Sequence, residues 1–533
     1  IFAFAVLNET TNQLFIARDR IGVKPFFYYF DNGKFVFGSE LATVLAHPAV
    51  PHIVDKRGIL EIVLIGPGRT IGNGVFKNIY ELPPASTATI NINNLCDNAT
   101  PHKKINANNM NSIYDNTQHD NGNATPHKKI NTNNTNNKGN SHKKINIKKY
   151  WRLVDKPYLK PYQAAVAEVR GRVTDAIERQ LISDVPVGTF LSGGIDSSII
   201  SAVAKKHYEN LQTFSVDYHD NSRYFRPTKF QPNDDQYYIK TMNDYLHTTG
   251  NKTVITTQKL VKSLYKAVDT RGLPAMADVD GSLLLFCGEI KRKVTVAISG
   301  ECADEIFGGY PWYYDKTVRE QNGFPWSQNV AYRAEFLKSE FTRNVDIKKF
   351  VNDKYKKTIA DTDISATTEP VEQRMKQMMQ LNMDWFMQTL LDRKDRMSMY
   401  NGLEVRVPFC DYRLVELAYN LPWHFKYRDG VEKCILRDAF ADMLPNEILT
   451  RKKSPYPKTH NPEYLSAVTK ILREIIADKT QPIHQIIKKR ALQNLLDGDT
   501  NTPWYGQLMT QPQTIAYFIQ MNYWLKKFEI VVK

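Results

Sequence analysis

Over the first forty residues, apolar and polar positions alternate or fall into short blocks: Ile1 to Val6, Gln13 to Ala17, Phe26 to Phe30 and Lys34 to Gly38. These blocks are rich in β-branched and aromatic residues and are separated by the turn signals Asn8-Glu9-Thr10 and Asp31-Asn32-Gly33, a pattern that predicts an antiparallel sheet. Ser86 to Ile92 and Lys149 to Leu153 carry the same pattern on either side of a polar tract and would pair if the tract were a loop between them. From Tyr162 the period changes. A helix over Tyr162 to Ile182 leads to a strand at Val187 to Leu191, a helix from Ser197 and a strand at Thr213 to Val216. A helix at Asp235 to Leu246 and strands at Lys252 to Ile255 and Val294 to Ser299 follow. Such alternation predicts a mostly parallel sheet, with the last ~130 residues mostly helical around it.

The tract between the two patterns is a compositional break. From Asn93 to Lys149 it holds nine Lys, three Asp and no Arg or Glu, so it carries six of the chain's +15 net charges. It repeats Asn98-Ala-Thr-Pro-His-Lys-Lys-Ile-Asn106 as Asn123 to Asn131 and, shortened, as Asn140 to Asn146. So polar a segment cannot offset a backbone ordering cost of ~1–2 kcal/mol per residue, and a disordered insertion is expected. Its lysines have almost no aromatic interleaving, which weighs against a nucleic-acid surface. At 533 residues and 42% hydrophobic, the rest of the chain can bury more than one core. No run approaches the ~18–20 apolar residues of a membrane helix, and the five scattered cysteines form no Cys-x-x-Cys pair, so a reducing, cytoplasmic setting without membrane contact is expected. Because the chain opens on Ile within an apparent strand, an upstream segment is also expected.

Two strand ends carry the chemistry. Phe190-Leu-Ser-Gly-Gly-Ile-Asp-Ser-Ser198 lies where an apolar strand passes into a helix. There, glycines let the backbone approach an anion, free helix amides point at it and serines add donors. It lacks the Gly-Lys-Ser/Thr of a Walker loop; Asp196 beside phosphates requires a divalent cation between the two negative charges. The second end, Ile298-Ser-Gly-Glu-Cys-Ala-Asp-Glu-Ile-Phe-Gly-Gly-Tyr310, crowds Glu301, Asp304 and Glu305 into five residues, which needs cations or a raised pKa to be tolerated.

These two motifs, followed by Met397-Ser-Met399 and Gly402-Leu-Glu-Val-Arg-Val-Pro-Phe-Cys-Asp411, strongly resemble the glutamine-hydrolysing asparagine synthetases. Ile1 to Val6, Arg18-Asp-Arg-Ile-Gly-Val-Lys-Pro25 and Phe37-Gly-Ser-Glu40 resemble the second half of the amidotransferase domain of that family. The resemblance implies an α+β Ntn-type amidohydrolase remnant with an antiparallel sheet at 1–92, the low-complexity insertion at 93–148, and an α/β ATP-pyrophosphatase domain with a parallel sheet at 149–533. It further implies ATP-dependent asparagine synthesis through a β-aspartyl-AMP intermediate, with ATP and Mg²⁺ required and aspartate and glutamine or ammonia as partners; a homodimer is left open.

By the same resemblance, Ser192, Gly193, Gly194, Asp196 and Ser197 hold the leaving pyrophosphate, and Asp196 and Asp304 bind Mg²⁺. Leu191 and Val216 line the adenine, and Ser299 and Gly300 the ribose and α-phosphate. Glu301 takes the proton of incoming ammonia. Lys453, Arg396 and Arg406 are the catalytic cations, with Lys394 able to stand in for Arg396. The family's glutaminase nucleophile is an N-terminal cysteine, and this chain has none before Cys96, so it is expected to take ammonia where the complete protein takes glutamine. A β-lactam-synthetase-like or other amide-forming adenylating enzyme is an alternative substrate reading. A non-catalytic nucleic-acid-binding or regulatory protein on the same scaffold is an alternative of a different class.

Overall fold

A computed structural model describes residues 1–31, 33–95, 145–227, 234–498, 502–506 and 509–533. The disordered insertion expected at 93–148 lies mainly outside them. The chain opens with β1 (Ala3–Asn8), β2 (Gln13–Arg18), β3 (Phe27–Asp31), β4 (Lys34–Gly38), β5 (Ile79–Glu81), β6 (Ser86–Asn91) and β7 (Ile147–Lys149). These form two antiparallel sheets where the sequence pattern suggested one: β1-β2-β6-β7 and β4-β3-β5. β6 does pair with a strand at the end of the polar tract, Ser86 opposite Lys149, but that strand is Ile147–Lys149: it ends at the residue where the expected strand begins, and Tyr150 to Leu153 lie outside it.

The second part is built on β8 (Val187–Phe190), β9 (Gln212–Tyr218), β10 (Thr249–Ile255), β11 (Val296–Ile298) and β12 (Glu404–Arg406), in the order β10-β9-β8-β11-β12 with every pair parallel. The helices α1 (Tyr162–Leu181), α2 (Ile195–Lys205), α3 (Asp235–Leu246), α4 (Thr257–Arg271) and α5 (Ala277–Lys291) connect or cover these strands. The short α6 (Ala303–Phe307) follows β11, and α7 (Met387–Met399) precedes β12. Chain order reverses between β8 and β11, so the connections leaving their carboxyl ends run in opposite directions and leave a crevice there, the place where ligands bind in open α/β sheets. The pattern missed β12, because Val405-Arg406-Val407 is too short to read as a strand before Pro408 ends it.

Packing does not follow the chain boundary at residue 92. Ile16, Phe26, Tyr28, Leu82, Ala88 and Ile90 form a small core of their own between the antiparallel sheets. Leu41 to Ile79, in contrast, share a core with α4, α5 and α8 (Gln511–Lys527). Ile53 and Val54 also pair, in parallel, with Val531 and Val532 at the other end of the chain. Helix α7 is the wall common to both parts: Gln388 donates to the Ile21 carbonyl (2.7 Å), Asp392 meets Arg69 (3.2 Å) and Asp395 meets Lys24 (2.9 Å).

Candidate active site

At the end of β8 the backbone turns through Gly193 at φ +70°, where a Cβ would lie 2.5 Å from that of Tyr238, so only glycine fits. Gly194 caps α2 with no side chain of its own to occupy the first helix amides, and those amides remain for an anion. The serines are mutually ordered: Ser192 Oγ lies 3.1 Å from Ser197 Oγ, which donates to the Gly194 carbonyl at 3.1 Å. Arg451 braces the turn from outside. It donates to the Ser192 carbonyl (2.8 Å), pairs with Asp235 and lies over the Tyr238 ring.

Beside this loop, the two strand ends bring Asp196 and Asp304 onto one buried ammonium. Lys433, 1% exposed, reaches Asp196 at 2.5 Å and Asp304 at 2.6 Å, and Lys453 meets the other Asp304 oxygen at 2.8 Å. Burial pushes Asp304 up, but Lys433 and Lys453 outweigh it and hold the carboxyl at about 2. Asp196 goes the other way: burial raises it, Lys433 and, more weakly, Lys453 offset only part, and the Asp304 charge adds to the rise. Lys433 is lowered by its own burial and carried above the usual lysine range by the two carboxylates. Asp196 Oδ1 is buried and accepts no hydrogen bond among the described residues.

The crevice holds a cavity of about 200 Å³. Leu191, Phe214 and Val216 give it an apolar end; Ser192, Asp196, Ser197, Asp304 and Lys453 form its charged flank. A side pocket of about 40 Å³ beyond Gly194 is walled by Lys433, Arg437 and the Arg451-Lys-Lys453 triplet. Ser299, Gly300 and Glu301 stand opposite. At Gly300 a Cβ would press on that of Asp196 at 3.1 Å, so glycine lets the two strand ends approach closely. Glu301 receives the Ser299 hydroxyl and meets Lys394 at 2.8 Å, with Arg393 at 3.8 Å. Burial would raise its pKa; Lys394 and then Arg393 overcome this and keep it below the ordinary range.

Of the expected residues, the structure brings Leu191, Ser192, Gly194, Asp196, Ser197, Val216, Ser299, Gly300, Glu301, Asp304 and Lys453 to the cavity or its side pocket, and Gly193 shapes the loop. It does not bring Arg396 or Arg406. Arg396 does not line the cavity: its guanidinium is taken up by Glu40 (2.9 Å) and Asp395. Arg406 ties β12 to α1 through the Gln180 and Ile182 carbonyls, at 2.7 and 2.6 Å. The places on the cavity wall belong to Arg393 and Lys394. Lys433 and Arg393 were missed outright. The one signal for Lys433 was a lone cation before the apolar Cys434-Ile-Leu436, and nothing in the spacing distinguished Arg393 from Arg396.

Residues 168–526 match the family model described as asparagine synthase, and residues 1–103 match that described as glutamine amidotransferase domain. The chain is 43% identical over 538 residues to asparagine synthetase (glutamine-hydrolyzing) 3 of Bacillus subtilis (strain 168), covering 99% of this chain and 79% of that protein. Similarity to asparagine synthetase (glutamine-hydrolyzing) 1 of the same organism is 26% over 492 residues, covering 86% of this chain and 67% of the relative. The figures for its asparagine synthetase (glutamine-hydrolyzing) 2 are 24% over 480 residues, 86% and 55%.

Proposed function

The chain belongs to the asparagine synthase family, and from that premise we propose how its crevice makes an amide. The reaction is the ATP-dependent synthesis of asparagine from aspartate, and the chain is a carbon-nitrogen ligase carrying a glutamine amidotransferase domain. The β-carboxylate of aspartate attacks the α-phosphate of ATP, pyrophosphate leaves, and ammonia displaces AMP from the β-aspartyl adenylate. The observation that carries this reading is the clustering of Asp196, Asp304, Lys433 and Lys453 beside the glycine turn, across the crevice from Glu301.

Ser192, Gly193, Gly194 and Ser197 cradle the leaving pyrophosphate, with adenine against Leu191 and Val216 and the ribose and α-phosphate against Ser299 and Gly300. Lys453 and Lys433 offset negative charge as the phosphate oxygens separate from the α-phosphorus, which stabilises the transition state more than the ground state. Among the described residues no group of three or more His, Cys, Asp or Glu could hold a metal ion by itself. Two carboxylates with one unpartnered oxygen on Asp196 do fit Mg²⁺, an ion commonly held by one or two carboxylates together with substrate phosphates. When bound by Asp196 and Asp304 it supplies charge neutralisation at the phosphates.

Glu301, kept ionised by Lys394, accepts a proton from the attacking ammonia as the tetrahedral species forms. Nitrogen comes from glutamine through the amidotransferase domain or from ammonia directly. No helix among the described residues is long and apolar enough to cross a membrane, and the four described cysteines are free thiols; we place the enzyme in the reducing cytoplasm. In the assay that tests this function, AMP, pyrophosphate and asparagine appear together only when aspartate is supplied. Equal turnover with glutamate or a β-amino acid would defeat the substrate assignment.

A further inference from the structure

The end of the cavity away from the phosphates holds a cation whose hydrogen-bonding capacity is unused. Arg393 is 3% exposed, yet its Nε and Nη1 donate to no acceptor among the described residues. The carboxylates facing it stand beyond hydrogen-bond reach: Glu301 at 3.8 Å and Asp280 at 4.0 Å. Each is already engaged. Glu301 is held by Lys394 and the Ser299 hydroxyl, and Asp280 by Arg271 (3.2 Å) and the Met276 amide (3.0 Å). The Tyr456 ring lies 5.0 Å from the guanidinium and shields it on one face. A buried guanidinium with no acceptor is costly, and the group that best repairs it is a planar carboxylate taking two parallel N–H bonds.

We propose that Arg393 binds the α-carboxylate of the aspartate substrate and so decides which carboxylic acids are activated. The inference rests on the asparagine-forming reading above. The β-carboxylate must face the α-phosphate, near Ser299 and Gly300. A substrate lying along the same wall then directs its second carboxylate toward α7, where Arg393 lines the cavity beside Glu301 and Lys394. Glu301 is thereby left to the incoming ammonia rather than to the substrate's own acid group, which it would repel.

The test compares aspartate with its α-amide, which keeps the shape and removes the charge, in pyrophosphate release by the full chain and by Arg393→Gln and Arg393→Lys. The wild type should prefer aspartate by about 50-fold in kcat/KM, the loss expected when one charge-assisted carboxylate contact is neutralised. Arg393→Gln should raise KM for aspartate by a similar factor, leave KM for ATP within about twofold, and discriminate between the two acids by less than about threefold. Arg393→Lys, which keeps the charge and loses the fork, should fall between, and it carries the test if the glutamine variant fails to fold. Full discrimination by either folded variant, or its absence in the wild type, would overturn the proposal. A wild type that releases no pyrophosphate with aspartate would instead overturn the asparagine-forming reading on which the proposal stands.

Discussion

Two aspartates show how framework and site differ in this molecule. Asp19, in the Arg18 to Pro25 segment of the antiparallel part, accepts backbone N–H groups from Ile21 (3.1 Å), Gly22 (2.7 Å), Val23 (3.0 Å), Lys24 (3.0 Å) and Phe2 (3.3 Å). Its neighbour Arg18 is likewise consumed, donating to the Lys24, Leu82 and Gly22 carbonyls and pairing with Glu81 at 3.0 Å. Asp196, in the Ser192 to Ser197 turn, meets one ammonium and leaves an oxygen without a donor, and Arg393 opposite makes no hydrogen bond through Nε or Nη1. Both segments read as motifs in the sequence. Buried polar groups with every partner supplied by the chain hold a fold; those left with spare capacity mark where something else must bind.

The sharpest way to break this contrast is to remove both carboxylates. Asp196→Ala should cut aspartate-dependent pyrophosphate release by about 10³-fold or more at any Mg²⁺ concentration, as expected when a preorganised charge on the leaving group is lost. Its melting temperature should stay near wild type, because removing Asp196 also relieves the crowding with Asp304. Asp19→Ala should do the reverse. It leaves several buried amides unsatisfied and should cost about 3 kcal/mol of stability by denaturant titration, while KM for ATP and for aspartate hold within about twofold. Wild-type pyrophosphate release by Asp196→Ala would reduce that residue to a turn former, and an unaltered denaturation midpoint for Asp19→Ala would remove the framework half of the comparison.

Within the site, Glu301→Gln separates the two chemical steps. Asparagine formation should fall about 10²-fold, while aspartate-dependent exchange of pyrophosphate into ATP falls far less. Equal losses would move Glu301 to nucleotide binding. The smallest effect is expected outside the cavity, at Asp278 on α5, which accepts from Gln513 of α8 at 3.3 Å. Burial pushes its carboxyl up from 3.8 to about 6, with Gln513 offsetting part of the rise. Between about pH 4 and 6 the folded state therefore holds a proton that the unfolded state has released, and stability declines as pH rises through that window. Asp278→Asn removes the decline, and its melting temperature should exceed wild type by about 3 °C at pH 7.5 but not at pH 4. An identical pH profile in the two proteins would show that folded Asp278 has already lost its proton between about pH 4 and 6, as in the unfolded chain.

Much of this was legible in the residues themselves. Alternation placed β4 at Lys34–Gly38 and α3 at Asp235–Leu246 without error, and the Gly193-Gly194 turn lies between a strand and a helix, as its residues indicated. The division of the antiparallel strands into two sheets was not legible, since it depends on which face of β3 packs against which strand. Nor was the partition of Asp392-Arg-Lys-Asp-Arg396. One helix turn delivers Arg393 and Lys394 to the cavity and Asp392, Asp395 and Arg396 to the other part of the chain, and a half-turn of rotation would exchange them. Lys433 lies over 100 residues from the motifs it serves, and only the fold brings it to them.

The central claim is that the crevice activates the β-carboxylate of aspartate at the α-phosphate of ATP, and the path of an oxygen atom tests it most directly. Aspartate labelled with ¹⁸O in its β-carboxylate should, during asparagine formation with ammonium as the nitrogen source, deliver one labelled oxygen to the phosphate of AMP and none to pyrophosphate. Label recovered in inorganic phosphate together with ADP would place the attack at the γ-phosphate and contradict the account.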